Sequence, residues 1–178
     1  MKPRRWMLTL LLCAACGSGA PAPNWQSIEV TVEVGRIVTA PPVETMSLTD
    51  AQAQLPFEFH LPTWLPDDFV LQDMVEAVLP TEDWPYGEVV VTWLDADDAT
   101  LSLSATTTPD IDSGFIGGGQ TENVTVNEQA ATLTRLGLKT APRQLTLAWE
   151  IEGVRYLLEV GGDVLTEAEL LKVAESLQ

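Results

Sequence analysis

Two alternating apolar segments joined by a two-residue turn constrain the fold of this chain more than any other feature. Apolar and polar side chains alternate along Gln144–Ile151 and again along Val154–Val160. Alternation with a period of two is typical of a strand that buries one face. The intervening Glu152-Gly153 is typical of a tight hairpin turn. The pattern therefore predicts two antiparallel neighbours in a sheet with one buried face.

Five further strand-like segments precede this hairpin, and turn-forming residues separate them. Turns are predicted at Asp95–Asp98 and Asn127-Glu128, and the glycine-containing stretch Pro109–Gln120 is predicted to be a long loop. Strands joined by such short turns favour an antiparallel sheet. The predicted strands are Phe69–Leu79, Glu88–Leu94, Thr100–Thr107, Glu122–Val126 and Ala130–Leu136.

A short helix is predicted before the first of these strands. Ser47 can cap its first turn, and Asp50, three residues later, can reach back as in a capping box. The helix, Leu48–Gln54, must end at Leu55-Pro56 because the residue before a proline disfavours helical geometry.

The clearest helix signal closes the chain over Glu167–Leu177. Thr166 and Glu169 match a capping box, and Leu165 and Leu170 match the hydrophobic staple around it. An apolar stripe at helical spacing follows. We therefore expect an α+β fold, with an antiparallel, curved β-sheet packed by this C-terminal helix and by the short N-terminal helix.

The N-terminus carries the marks of an export signal. Basic residues precede the apolar run Trp6–Ala15, which ends in two small residues before Cys16. The run is too short for a retained membrane anchor, which needs about 20 residues. The arrangement resembles the bacterial lipobox, with Cys13 at the position usually filled by leucine. This resemblance implies lipidation of the Cys16 thiol, and an ordinary secretory signal cut after Ala15 is the alternative.

Changes in composition divide the chain into four parts. Residues 1–15 are predicted to be the lipoprotein signal peptide, and residues 16–26 a flexible tether of small and polar residues. Residues 27–45 contain the alternating segment Ile28–Val34, which either joins the domain as a strand or forms an extended stalk. Residues 46–178 are predicted to be one α+β globular domain. We therefore expect an extracytoplasmic protein, lipid-anchored to the bacterial cell membrane.

The charge of the chain excludes one class of partner. The full sequence has a formal net charge of −17, and removal of the signal peptide leaves six Lys and Arg against 26 Asp and Glu. A surface of this sign repels nucleic-acid phosphates, so we expect no nucleic-acid partner. High solubility and spacing from the membrane explain the charge, and attraction for a basic partner or for divalent cations is the alternative.

The segment Leu61–Phe69, LPTWLPDDF, resembles a motif of an uncharacterised family of bacterial envelope domains. In that family the motif follows an amphipathic helix and precedes hairpins, a tryptophan-bearing strand such as Leu145–Glu150 and a closing helix. The resemblance covers roughly Ser47 to Gln178, and Asp68 stands where the family usually has glycine. It implies occurrence in lipoproteins and in anti-sigma-factor-like proteins, and similarity to pieces of lipoprotein-sorting carriers, without an established activity.

Patterns for catalysis or tight metal binding are weak in this sequence. His60 is the single histidine and lies between apolar residues, so we expect a structural or surface role. One histidine, and no cysteine beyond Cys16, lead us to expect no zinc site and no cofactor. Asp95, Asp97 and Asp98 are a candidate for a low-affinity calcium site, but acidic turn chemistry is the favoured interpretation.

The aromatic residues supply the candidate binding surface. Alternation places Trp93 and Trp149 on apolar strand faces, so we expect both in the core. Trp64 and Trp84 lie in proline-flanked connections, and with Phe69 they are candidates for the rim of a binding groove. Amphipathic aromatic rings are well suited to interfaces.

These observations favour a membrane-tethered, non-enzymatic binding or sensing lipoprotein of the bacterial cell envelope. We expect the membrane, through the N-terminal lipid, and an envelope protein or peptide as its partners. The alternative is a carrier or chaperone for lipid or another apolar ligand, similar to lipoprotein-sorting proteins. A hydrolase that uses paired carboxylates is a third hypothesis with less support, because spacing alone does not argue for such a pair.

Overall fold

The computed structural model describes residues 41–66, 68–109, 119–138, 141–161 and 164–178. Cys16, the segment Ile28–Val34 and most of the predicted loop after Pro109 lie outside these residues. Within them, nine strands and two helices follow one another along the chain. They are β1 (Glu44–Ser47), α1 (Leu48–Gln54), β2 (Val70–Leu71), β3 (Met74–Val78), β4 (Glu88–Leu94), β5 (Thr100–Thr106), β6 (Gln120–Val126), β7 (Gln129–Leu138), β8 (Ala141–Ile151), β9 (Val154–Gly161) and α2 (Glu167–Glu175).

All strands belong to a single sheet in which every pairing is antiparallel. The order across the sheet is β1-β3-β4-β5-β9-β8-β7-β6, and β2 also pairs with β4. β9 therefore lies between β5 and β8, although it follows both in the chain. The predicted antiparallel sheet of an α+β fold is confirmed, and β1 and β6 are the edge strands among those that the structure describes.

One face of this sheet is a continuous apolar layer. Leu103 on β5 faces Leu158 on β9, which faces Leu147 on β8, which in turn faces Leu133 on β7. All four side chains are fully buried. Alternation within each strand sends the polar partners to the opposite face, as predicted from the period of two.

The helix α2 packs on the apolar layer, where it contacts β6 and β8. The Thr166 hydroxyl accepts a hydrogen bond from the Glu169 backbone N–H, and the Glu169 carboxylate accepts one from the Thr166 N–H. Both halves of the predicted capping box are therefore present. Leu170, Val173 and Ala174 are fully buried against the sheet, which confirms the predicted C-terminal helix.

α2 ends at Glu175, two residues earlier than predicted. The Ser176 hydroxyl donates to the carbonyl oxygen of Val173 and so competes with the next turn of the helix. Leu177 instead forms an antiparallel bridge with Pro62, and the N–H of Gln178 donates to the carbonyl of Leu61.

The helix α1 has the bounds that the sequence predicted. The Ser47 hydroxyl accepts a hydrogen bond from the Asp50 N–H at 3.1 Å, which caps the first turn. The N–H of Leu55 donates to the carbonyl of Ala51, and the chain then leaves helical geometry before Pro56. Ala51 and Leu55 are buried in the same core as the sheet.

The predicted strand Phe69–Leu79 is wrong as a single element. It divides into β2 and β3, which both lie along β4 and are separated by Gln72 and Asp73. The N–H of Gln72 still donates to the carbonyl of Thr92, but the regular register is interrupted there.

The predicted hairpin turn between β8 and β9 is confirmed. Glu152 and Gly153 both have positive φ, 51° and 81°, which two-residue hairpin turns require. Among the described residues, no helix is both long enough and apolar enough to cross a membrane.

Candidate binding surface

Three exposed apolar residues lie where β2 and β3 meet, and we call Val70, Leu71 and Met74 the apolar corner. Leu71 is opposite the buried Trp93, so its side chain lies on the other face of the sheet from that of Val70. The exposed fractions are 65% for Val70, 38% for Leu71 and 50% for Met74. Among the described residues, Val43 is the one other large hydrophobic side chain with comparable exposure. Val43 lies at the far end of β3, because its neighbour Glu44 pairs with Ala77.

The interruption between β2 and β3 produces the corner. Val75 is buried in the core, so alternation points its neighbour Met74 to the face opposite the helices. Val70 pairs with Leu94, which follows the buried Trp93, and therefore lies on the same face as Met74. β2 has two residues and pairs with β4 on one side, so its side chains have little cover.

Carboxylates surround the apolar corner. Asp68, Asp73 and Glu76 are exposed close to it in the chain, and Val70 faces Leu94, the residue before the acidic turn Asp95–Asp98. The sequence has no lysine or arginine between Arg36 and Arg135. The charged side chains close to the corner in the chain are therefore all acidic, which favours a partner with basic groups.

The acidic turn itself uses its first carboxylate to hold its own backbone. Asp95 Oδ1 accepts hydrogen bonds from the N–H groups of Asp97, at 2.9 Å, and Ala99, at 2.7 Å. Asp98 has a φ of 62°, which completes a tight hairpin connection. Asp97 and Asp98 are exposed. In the part of the chain that the structure describes, no group of three His, Cys, Asp or Glu side chains is arranged to hold a metal ion.

The structure places Trp64 beside the end of α2. Its backbone N–H donates to the Ser176 hydroxyl at 3.1 Å, and the N–H of neighbouring Thr63 donates to the Ser176 carbonyl at 3.1 Å. The Thr63 hydroxyl donates to the same carbonyl at 2.8 Å. These bonds fasten the proline-rich segment to the C-terminal end of the chain.

One face of the Trp64 ring is already occupied. The ammonium group of Lys172 lies 3.7 Å from the ring centroid, which is the geometry of a cation–π contact. Trp64 is half-buried and packs against the core. Its ring therefore serves the docking of α2, and Phe69, also half-buried against the core, serves packing as well.

Trp84 lies elsewhere, in the β3–β4 connection. Its ring meets Tyr86 edge to face, with centroids 5.4 Å apart and planes at 87°. Reciprocal backbone hydrogen bonds between Thr81 and Trp84 hold the connection. Among the described residues no ring contact joins Trp64 to Trp84. Phe69 precedes β2, which pairs with the far end of β4, so Trp84 and Phe69 lie at opposite ends of that strand.

His60 acts through its backbone. Its N–H donates to the hydroxyl of Tyr156, and Tyr156 stacks on Trp149 with ring centroids 5.5 Å apart. Trp93 and Trp149 are both 3% exposed, which confirms their predicted place in the core. The Nε1–H of Trp149 is buried and has no acceptor among the described residues.

A charged cluster at Arg135 was missed by sequence reasoning. The Arg135 guanidinium is buried on the helix side of the sheet and binds Glu167 of α2 through Nε and Nη2, and Glu122 of β6 through Nη2. These hydrogen bonds, that of Glu167 first, raise the pKa of Arg135 further above its ordinary value. Its partners lie 13 and 32 residues away in sequence, so only the strand alternation that points Arg135 inward could have indicated the cluster.

The comparison with known proteins identifies a family without an assigned activity. No curated protein and no solved structure matches the chain significantly. The family described as "Domain of unknown function (DUF4367)" matches residues 60–177. The matched segment runs from the His60 hydrogen bond to the bridge of Leu177, and it includes the apolar corner and the Arg135 cluster. Because it covers well over half of the 178 residues, this chain belongs to the DUF4367 family.

Proposed function

We propose that the protein is a membrane-tethered, non-enzymatic binding module of the bacterial cell envelope. Its partner would be an envelope protein or peptide that presents apolar side chains flanked by lysine or arginine. The observation that carries the proposal is the apolar corner, Val70, Leu71 and Met74, surrounded by carboxylates. Exposed apolar side chains with a charged rim are typical of protein interaction sites.

The tether is supported by the sequence. The basic start, the short apolar run and Cys16 resemble a lipoprotein signal, and residues 16–26 are small and polar. Attachment of a lipid at Cys16 would hold the domain at the outer side of the cell membrane. Replacement of Cys16 by serine should then release the folded domain from membranes.

The charge around the apolar corner limits which partners can bind there. Its carboxylates have no Lys or Arg nearby in sequence, so an acidic partner would be repelled and a basic one attracted. An apolar strip in the partner would cover Val70 and Met74, which lie on the same face. Binding through such a surface is expected to weaken as salt is raised.

The experiment is site-specific photo-crosslinking in living cells. A photoreactive residue at position 70 should give an adduct with one protein, whereas the same residue at Val43, equally exposed but at the other end of β3, should not. The captured protein is then purified, and its binding to the wild type and to the Val70→Ser, Met74→Ser double variant is compared. We expect at least a tenfold loss of affinity in that variant and none in Val43→Ser.

Val70, Met74 and the control Val43 are all exposed, so none of these substitutions should disturb the fold. Equal affinity of the wild type and the double variant would contradict the proposal, and so would adducts of equal yield at positions 70 and 43.

The alternative function is a carrier for lipid or another apolar ligand, between a curved sheet and its helices. One observation favours it: the buried Nε1–H of Trp149 has no acceptor in the part of the chain that the structure describes, and a buried donor is normally satisfied. The direct packing of α2 on the sheet means that such a ligand would have to displace helix contacts. Native mass spectrometry of protein purified from cells tests it, since a carrier should retain an acyl chain that Trp149→Phe no longer holds.

A further inference from the structure

The two edges of the sheet are protected to different degrees. β1 has four residues, follows Pro41-Pro42 and runs directly into α1. β6 has seven residues without proline or glycine, and it pairs with β7 in unbroken register from Gln120 to Val126. Natural sheets usually blunt an exposed edge by shortening it, by proline or by charge. β6 carries none of these devices apart from Glu122.

The outer side of β6 offers a regular set of backbone groups. The two-residue turn Asn127-Glu128 makes Val126 and Gln129 a hydrogen-bonded pair, and such pairs alternate along antiparallel strands. The N–H and C=O groups of Thr121, Asn123 and Thr125 therefore point away from β7. All three residues are exposed, and none of these groups bonds to another backbone group in the described ranges.

The single carboxylate on β6 is paired with an arginine that it shares with Glu167. Glu122 accepts a hydrogen bond from Arg135 at 2.9 Å, and Arg135 is held in place by Glu167 as well. The remaining six residues of β6 are uncharged. In a chain of net charge −17, this edge has one carboxylate in seven residues, which limits the local repulsion against a second acidic protein.

We propose that β6 pairs with β6 of a second copy of the chain, antiparallel and centred on Asn123. Asn123 would face Asn123 of the second copy, and Thr121 would face Thr125 of the second copy on either side. This register uses all three outward N–H groups and all three outward C=O groups of each copy. The pairing is independent of the apolar corner, which lies towards the opposite edge of the sheet.

The side chains of β6 are complementary to themselves in this register. Thr121 and Thr125 are a favourable cross-strand pair, and the two Asn123 amides can hydrogen-bond each other across the two-fold axis. Glu122 is directly opposite Val124 of the second copy. The two Glu122 residues are diagonal neighbours about 7–8 Å apart, and each is paired with Arg135 of its own copy. A peptide of another protein would not carry the Thr and Asn residues in this spacing. We therefore infer that a second copy of the chain, and not such a peptide, binds the edge of β6.

The net charge predicts how the pairing responds to salt. Two copies repel each other through their overall charge, and salt screens this repulsion while it has little effect on the backbone hydrogen bonds between the two β6 strands. The dimer should therefore become more populated as salt is raised. A partner bound by opposite charge would show the reverse dependence.

Cysteine cross-linking of the full chain tests the register. Asn123→Cys should give a disulfide-linked dimer on mild oxidation, because equivalent Cα atoms would be about 5.5 Å apart. Thr121→Cys and Thr125→Cys should each remain uncross-linked, because equivalent atoms would be about 13 Å or more apart. The Thr121→Cys, Thr125→Cys double variant should cross-link again. The wild type controls for cross-linking through Cys16. Thr45→Cys, on the opposite edge of the sheet, controls for disulfides that form by random collision.

Light scattering measures the same association without a cross-link. The wild type should shift from monomer towards dimer as salt is raised, and Asn123→Asp, which places two carboxylates on the axis, should remain monomeric with an unchanged melting temperature. Cross-linking of equal yield at positions 121, 123 and 125, or a wild type that stays monomeric at every salt concentration, would overturn the proposal.

Discussion

The backbone N–H of His60 donates a 3.1 Å hydrogen bond to the hydroxyl oxygen of Tyr156. Tyr156 is fully buried in β9, so this bond ties the proline-rich segment to the centre of the sheet. Its ring lies parallel to that of Trp149, with 17° between the planes. The hydroxyl and the ring of Tyr156 therefore make separate interactions, and substitution can measure the contribution of each one.

Tyr156→Phe should keep the stack on Trp149 and remove the acceptor for His60. A part-buried N–H left without an acceptor costs about 1–3 kcal/mol. We expect the free energy of unfolding, measured by urea denaturation, to fall by that amount. Tyr86→Phe, at a half-exposed position, is the control and should change it by less than about 0.5 kcal/mol. Equal effects of the two substitutions would contradict the role assigned to the bond.

Gly87→Ala should destabilise the protein by overpacking. A Cβ atom at Gly87 would lie 2.8 Å from Leu55 Cδ2 and 3.1 Å from atoms of both Pro56 and Phe57. Such crowding typically costs about 1–3 kcal/mol. Gly161→Ala is the matched control, because nothing lies within 4 Å of its Cβ position. Thermal unfolding should separate the two variants by several degrees, and a Gly87→Ala protein as stable as the wild type would show that the segment can move away.

Glu88→Gln should stabilise the protein in a pH-dependent way. Burial raises the pKa of Glu88 in the folded state above its ordinary value of 4.5. Folding therefore favours the protonated form of Glu88. Its contribution to the free energy of unfolding is fully present below the pKa of the unfolded state and is lost as the pH rises through the pKa of the folded state. We expect Glu88→Gln to have the higher free energy of unfolding at about pH 7 and to lose that advantage near pH 4.

The control for this pH dependence is Glu76→Gln, an exposed glutamate on the neighbouring strand β3. The free energy of unfolding of the Glu76→Gln variant should equal that of the wild type across the same pH range. An advantage of Glu88→Gln that stayed constant with pH would point to packing as its cause.

Arg135→Leu should weaken the attachment of α2. The side chain holds Glu167 and Glu122 while it is itself buried, but the two glutamates are 42% and 58% exposed. Water can therefore solvate the carboxylates after Arg135 is removed, and we expect a loss of about 1–2 kcal/mol. A double-mutant cycle with Glu167→Gln measures the coupling. Amide hydrogen exchange should also become faster in the first turn of α2. Faster exchange confined to β6 would contradict the prediction that Arg135 holds α2 on the sheet.

Elements with local signals were predicted well. α1 and β4 have the bounds that the sequence indicated, because a capping serine, a following proline and strict alternation act within a few residues.

The remaining features depend on contacts distant in sequence. Periodicity does not reveal that β2 and β3 share one side of β4, or that residues after Glu175 leave the helix to meet Leu61 and Pro62. The apolar corner follows from the first of these contacts. Trp64 was placed on a rim because prolines flank it, but Lys172, more than a hundred residues away, covers its ring. Composition and spacing carry no information about such pairs.

The hydrogen bonds between the segment Leu61–Trp64 and Ser176 join the two ends of the stretch that defines the family. A domain whose ends meet at one place on its surface can be joined to other segments there without strain on its sheet. The hydrogen bonds at Ser176 place the entry into the matched segment and the exit from it side by side, while β1 and α1, which precede it, add to the same sheet and core.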